Sequence, residues 1–422
     1  CYEMLLKFNI ENFLAFNKPV ELNFEANLHT KKFLSNVVKN TQGNALKSLA
    51  IYGPNNTGKT CIVEALKAFH DVLLNQPLRF RANVFTESPV IMLSAEFLYE
   101  GTRYAYSFSY NTETEEFCEE CFKRITIDQY GNRQETIYFL KNFGNGIYQC
   151  ADDKLADIIR LSSKNSMLIY AFDTTGFPKL DEAKIALRAL AGSMVVLSMD
   201  RISPVKTIEA LKHPNTNEAK KIVSIIKAAD VDIDDFMYSE TIELRSDTED
   251  GKDERLLKAF KNKEKLMDQI RLVSVHKGKK LPSIAFDSNG TKKIIALSSY
   301  LVDALDNGKI LVLDELDSGL QFKLSRAIVS LFNSSVNTSA QLICTTHDVS
   351  LLDIKTLFRK EQIWFTDKDR EQVYLYSLAE FKAEDGVRSD SDIYEKYSKG
   401  VFGSLPDPAL VEAMLYGLED DQ

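Results

Sequence analysis

Gly53-Pro54-Asn55-Asn56-Thr57-Gly58-Lys59-Thr60 forms a complete G-x-x-x-x-G-K-[ST] phosphate-binding loop. It follows the apolar run Leu49-Ala50-Ile51-Tyr52 and opens into Cys61-Ile62-Val63-Glu64-Ala65-Leu66. That is the strand, loop and helix context the pattern requires. Backbone N–H groups converging at the head of a helix suit phosphate oxygens. On this reading Gly53, Pro54, Asn55, Asn56, Thr57, Gly58 and Cys61 cradle the phosphates of a nucleoside triphosphate. Lys59 reaches the β and γ phosphates, and the Thr60 hydroxyl holds Mg²⁺. The bland alternative, a Gly-rich turn, accounts for the loop alone and for nothing around it.

A second stretch supplies acids. Lys309-Ile310-Leu311-Val312-Leu313-Asp314-Glu315 is a buried strand pattern ending in two carboxylates, as expected for a parallel sheet covered on both faces. Asp314 is placed to bind Mg²⁺ and Glu315 to polarise an attacking water. A surface Asp-Glu pair after a core strand is the alternative, and the intact loop upstream speaks against it. Before this strand, Asp287-Ser288-Asn289-Gly290-Thr291-Lys292 opens a helix, with Ser288 as its cap and Gly290 permitting close backbone approach. After it come the turn Leu316-Asp317-Ser318-Gly319-Leu320 and the strand Gln341-Leu342-Ile343-Cys344-Thr345-Thr346, which ends at His347. Taken singly, Ser-x-Gly is an ordinary helix start and His347 an ordinary strand-end histidine.

Composition narrows the partners. A net charge of −9 over 422 residues argues against a uniformly basic coat for nucleic acid. The densest basic stretch, Lys252 to Lys265 and then Lys277, Lys279 and Lys280, is interleaved with Asp253, Glu254 and Glu264 and reads as a solvated helix face. No apolar run has membrane-spanning length and no signal-peptide pattern opens the chain, so a soluble cytoplasmic protein without a membrane partner is expected. Cys118-x-x-Cys121 has no second pair and only five histidines occur; structural thiols are a better reading than zinc.

Alternation predicts strands at Met4–Ile10, Val20–Phe24, Ile91–Leu98, Tyr104–Tyr110, Phe122–Ile127 and Thr136–Leu140. Turns are expected at Glu100-Gly101 and Tyr130-Gly131-Asn132. Residues 153–230 carry helical spacing, at Ile185, Leu187 and Leu190 and at Ile222, Ile225 and Ile226. A polar run, Ser246 to Gly251, and a charged helix to 268 read as a lobe boundary. From Ile270 to Phe365 strand and helix alternate, as in a parallel sheet. No heptads are sustained, so no coiled-coil arm is expected. The expected fold is α/β, with a nucleotide-binding lobe and β-rich subdomain over 1–150, a mostly helical insertion over 151–269, and a second lobe over 270–422.

The order of these elements resembles the ATP-binding-cassette ATPase plan: phosphate loop, distant Ser-x-Gly signature, Asp-Glu strand, Asp-containing turn, Thr-His. Ile10-Glu11-Asn12-Phe13-Leu14-Ala15-Phe16, the phosphate loop, Ser288-Asn289-Gly290-Thr291-Lys292 and Thr345-Thr346-His347-Asp348 look like the ABC-like AAA ATPases of bacterial defence loci. The nearest group is the RloA/AbiLi-like abortive-infection proteins. Phe358-Arg359-Lys360-Glu361-Gln362-Ile363-Trp364-Phe365 and Tyr397-Ser398-Lys399-Gly400-Val401-Phe402-Gly403 extend the likeness. The resemblance implies a homodimer, or a higher oligomer, that sandwiches ATP. Ser288 and Gly290 of one head would face the loop of the other, Asp317 would lie at the seam, and His347 would act as the switch histidine. It also implies a companion effector protein, since no second catalytic motif stands out. A RecF- or SMC-type ATPase acting on DNA shares the same head motifs and is the rival reading; a transporter subunit fits least. The chain departs from the family in having Gln321-Phe322 where His-Pro is common, and in a glutamine loop for which Gln76 is the sole candidate. Asn12 and Phe16 could approach adenosine or simply pack. Arg359 could bind nucleotide or a partner, or form a surface ion pair, and His276 reads as structural.

Overall fold

The computed structural model describes residues 3–403 apart from 77, 79, 143–147, 151–158, 160–161, 172–173, 175, 231, 241–267, 371 and 389. The charged stretch from 246 to 267 and the tail after 403 lie outside the described residues. The first half contributes β1 (Met4–Glu11), β2 (Val20–Asn23), β3 (Val37–Val38), β4 (Ala45–Leu46) and β5 (Ser48–Tyr52), then helix α1 (Lys59–Leu73). Next come β6 (Val90–Tyr99), β7 (Thr102–Asn111), β8 (Glu116–Ile127), β9 (Arg133–Asn142) and β10 (Tyr148–Cys150). The middle holds α2 (Pro178–Ser193), β11 (Met194–Ser198), α3 (Val205–Leu211), α4 (Asn217–Ala229) and β12 (Asp235–Tyr238). The last part brings β13 (Leu272–His276), β14 (Lys279–Pro282), α5 (Asn289–Asn307), β15 (Ile310–Asp314), α6 (Phe322–Asn333), β16 (Gln341–Thr345), β17 (Ile363–Lys368) and β18 (Val373–Ser377).

Two sheets dominate. One is antiparallel, in the order β10-β9-β8-β7-β6-β1-β2; the other runs β11-β15-β16-β5-β17-β18 and is parallel except for β18. The hairpin between β6 and β7 turns at Glu100 and Gly101, with φ of 49° and 78°, the left-handed pair of a type I′ turn. In the parallel sheet, side chains alternate between two cores. Ile310 and Val312 face one core with Leu49, Ile51 and Ile343, while Leu311 and Leu313 face the other with Ala50, Tyr52 and Leu342. That is why β15 reads as an unbroken apolar run.

Helix α1 lies between the two sheets. Phe69 packs edge-on against Phe8 of β1 at 5.5 Å and stacks on Phe108 of β7 at 6.1 Å. The antiparallel sheet therefore clamps the helix that begins at the phosphate loop. On the opposite face, α5 and α6 cover the sheet through Ile294, Leu297, Leu301, Ile328, Val329 and Phe332. Tyr397 and Phe402 of the tail stack on Phe365, and Tyr397 also meets Tyr52, the last residue before the loop.

Two expectations change. Within 151–269, expected to be mostly helical, β11 is an edge strand of the parallel sheet, paired with β15 from Met194↔Ile310 to Ser198↔Asp314. Five residues joined directly to the end of α2, with only Gly192-Ser193 before them, are too short an apolar run to show the change of period. After Ile270, β13 and β14 do not join the parallel sheet; they pair antiparallel with β12 in a sheet of their own.

Glu120 on β8 is fully buried. It accepts hydrogen bonds from the Tyr106 hydroxyl (3.1 Å) and the Leu168 amide (2.9 Å). Burial pushes its carboxyl up to about 7, against the opposing pull of those donors and of Lys141. The fold therefore prefers the neutral acid. The stability this gives is complete below the ordinary value of 4.5 and is lost as pH rises through about 7. Glu120→Gln should flatten the fall in unfolding free energy between about pH 5 and pH 8, by at most roughly 3 kcal/mol. Urea titrations at several pH values check this; parallel pH profiles for the two proteins would contradict it.

Candidate nucleotide-binding site

The loop leaves β5, whose five residues are all buried, and closes on itself before α1. Asn56 and Gly58 take φ of 64° and 95°, and no side chain caps α1 at Gly58. The first amides of the helix thus face the loop cavity, an arrangement suited to an anion. Gly53 is required by crowding: a Cβ there would lie 2.2 Å from Thr366 Oγ1 and 2.5 Å from the Thr366 carbonyl. Thr57 is buried, donates to the Pro54 carbonyl (2.7 Å) and meets Thr366 Oγ1 at 2.7 Å. Thr366 of β17 therefore braces the loop from behind. Lys59 donates to the carbonyls of Gly53 and Pro54, both at 2.7 Å. Asn55, Asn56 and Thr60 are exposed, and Cys61 is half-buried, its thiol pushed up by burial.

The acids converge from the neighbouring strand ends. Order β15-β16-β5 puts Asp314 two strands from the loop, roughly 10 Å at ordinary spacing. The Thr345 hydroxyl at the end of β16 donates to Asp314 Oδ1 (2.6 Å) and accepts from the Glu315 amide (2.8 Å). Glu315 has φ of 56°, a left-handed conformation uncommon outside glycine. Its carbonyl accepts from the Ser318 amide at 2.8 Å, closing the turn. Asp317 Oδ1 accepts from the His347 amide at 3.0 Å, so the turn and the end of β16 are joined.

Electrostatics tie the two halves together. Burial lowers the Lys59 ammonium, and Asp314, Glu315 and Asp317 pull it back up. Burial and then Lys59 push the His347 imidazole down, favouring its neutral form. Glu315 is raised by burial first and then by a carboxyl the sequence reading did not single out, Asp200. The hydroxyl of Thr60 and the carboxylate of Asp314 are hard oxygen donors of the kind Mg²⁺ takes. They fit that ion at the mouth of the loop, where Lys59 is the nearby cation for Asp314, Glu315 and Asp317.

Ser288 and Gly290 make their contacts elsewhere. Ser288 caps α5 by accepting from the Thr291 amide (3.1 Å), and Thr291 Oγ1 donates to Asp230 (2.6 Å). Gly290 abuts the turn: a Cβ there would lie 2.8 Å from the Gly319 carbonyl. Directly before the cap, Asp287 is held by the Ser274 hydroxyl (2.9 Å) and by His276 Nε2 (3.1 Å). His276 is thus structural, holding the residue directly before the cap of α5.

Gln76 closes the turn after α1, at the far end of 15 helical residues and so roughly 22 Å from the loop. The neighbour of the Asp-Glu strand is β11, and the residue presented there is Asp200. Asn12 is a packing residue whose amide bonds the carbonyls of Ser88 and Val90. Phe16 is fully buried, and its ring lies 3.3 Å from where a Gly58 Cβ would stand. Arg359 is buried, not a surface pair. It holds the carbonyls of Asn27, Thr30 and Lys32 and the carboxylate of Glu361. Cys118 and Cys121 lie along β8, and no metal-holding group of His, Cys, Asp and Glu occurs among the described residues. No helix among the described residues is long and apolar enough to cross a membrane.

The family described as "AAA domain, putative AbiEii toxin, Type IV TA system" matches residues 48–353, well over half of the chain, so the chain belongs to that family. No curated protein matches. Among solved structures, the SMC head domain from Thermotoga maritima shares 13% identity at a TM-score of 0.41, over 89% of this chain and 98% of that one. The SmcHead bound to the C-winged helix domain of ScpA shares 13% identity at 0.44, over 89% and 97%.

Thr345→Val removes both bonds of a buried hydroxyl and leaves the Glu315 amide without its partner. It should cost roughly 1–3 kcal/mol of unfolding free energy, with Thr345→Ser losing less. Urea denaturation measures both, and a valine variant as stable as the parent would contradict the assignment.

Proposed function

As a member of this P-loop AAA family, the chain is of the ATPase type, and we propose that it hydrolyses ATP at a site completed by a second copy of itself. The observation carrying this reading is the division of the motifs. Lys59, Asp314, Glu315, Asp317 and His347 lie within electrostatic reach of one another beside the loop, whereas Ser288 caps α5 and Gly290 abuts the Gly319 carbonyl of the Asp317–Leu320 turn. In a pair related by two-fold symmetry, the head of α5 from one copy would close over the phosphates held by the other.

Each residue then has a task. The loop amides and Lys59 bind and orient the phosphates. Mg²⁺, held by Thr60 and Asp314, would neutralise charge on the phosphate oxygens. Glu315, raised by burial and by Asp200, accepts a proton from the attacking water, and neutral His347 contacts the transferred phosphoryl group. Because the γ-phosphate bridges both copies only in the closed pair, its loss reopens them, a two-state element that a companion protein can read. The family description names a toxin–antitoxin system, which supports a defence role in which this chain gates an effector.

Glu315→Gln should retain ATP affinity, reduce turnover at least about a hundredfold, and double the mass of the complex when ATP is added. Turnover measured by phosphate release and mass by light scattering check this; a variant that hydrolyses at the parent rate removes Glu315 from the role. Lys59→Ala should abolish nucleotide binding in calorimetry, and unchanged affinity would sink the phosphate-loop assignment.

A further inference from the structure

We propose that Asp200 is a positioning residue that ties the first turn of α5 to the turn carrying Glu315 and Asp317. The proposal deepens the ATPase reading above and rests on it. Ser198, the last residue of β11, is opposite Asp314 in register, and the Met199 amide donates to the Asp314 carbonyl at 3.1 Å. The backbone at Asp200 is thereby fixed to the end of the acidic strand. Its carboxylate accepts from the Ser318 hydroxyl and from Lys293 Nζ (3.2 Å). Lys293 Nζ also donates to the Ser318 carbonyl (2.9 Å) and hydroxyl (2.8 Å). Three segments distant in sequence meet in this one cluster.

The grip on the turn is double. The Lys293 side chain passes 3.2 Å from where a Gly319 Cβ would stand, and Gly290, one turn earlier on α5, meets the Gly319 carbonyl. Any shift of the head of α5 is therefore carried into Ser318 and Gly319. From there it reaches Glu315, whose left-handed backbone is closed by the Ser318 amide. Asp200 is the anchor against which this movement acts.

A surface ion pair is the plain alternative, since the Asp200 side chain is 57% exposed and such pairs add little to stability. That alternative does not explain why Lys293 also holds the Ser318 carbonyl and hydroxyl, so that α5, the turn and Asp200 are joined in one cluster. A tie explains it. In the paired molecule Ser288 and Gly290 of a chain face the partner's nucleotide, whereas Glu315 faces the chain's own. Asp200, Lys293 and Ser318 join the two, so occupancy of one site sets the geometry of the other.

The test uses Asp200→Asn, Lys293→Met, the double variant and Asp200→Glu. In nucleotide-free protein, amide hydrogen exchange at Ser318 and Leu320 should quicken in both single variants while the unfolding midpoint stays close to the parent's. In steady-state ATP turnover, kcat should fall roughly tenfold with KM for ATP within about twofold. The double variant should fall no further than the worse single, because both remove one linkage, and Asp200→Glu should recover part of kcat. Parent-like exchange and kcat in Asp200→Asn, or losses that multiply in the double variant, would overturn the proposal. A parent protein without any ATP turnover would instead refute the ATPase reading, and the exchange data would still decide whether the tie exists.

Discussion

The site depends on three parallel strands ending at one level, and the hydroxyl of Thr345 is where that alignment is enforced. Buried at the end of β16, between the acidic strand and the strand that leads into the loop, it donates to Asp314 and accepts from the amide of Glu315. A buried hydroxyl with both roles filled is costly to disturb. It fixes the direction of one carboxylate and the backbone of the next. The same strand then delivers His347, whose amide is captured by Asp317. Register along β5, β16 and β15 thus becomes geometry around a phosphate.

The antiparallel sheet serves this arrangement indirectly. By packing aromatic side chains against α1, it holds the helix whose head is the anion-binding end of the loop. Thr366 of β17 crowds Gly53 from the other side. The loop is therefore set between two rigid neighbours, as a site that must be ordered before its ligand arrives requires.

Legibility in the sequence followed the range of the interactions. The phosphate loop is legible because its chemistry is contiguous: Gly53, Gly58, Lys59 and Thr60 act through one turn of backbone. Asp314 and Glu315 are legible because a strand buried on both faces must be apolar until it ends. The hairpins of the antiparallel sheet show in their alternation and in Glu100-Gly101. β11 does not show, since Met194–Ser198 follows Gly192-Ser193 at the end of α2 with no loop between them and its short apolar run suits either period. With β11 hidden, Asp200 lacks any address, and a residue such as Gln76 is considered in its place. Arg359 misleads for a related reason. Its partners are carbonyls of residues 27–32, more than three hundred positions away, and only the fold brings them to it.

The central claim is that one chain holds two half-sites rather than one whole site. It is tested most directly by mixing two inactive variants, Lys59→Ala and Ser288→Arg, and measuring ATP turnover in the mixture. Half the pairs would be mixed, each with one intact loop facing one intact signature, so roughly a quarter of the parent activity should return. No return of activity on mixing, or turnover by the Ser288→Arg chain alone, would contradict the account.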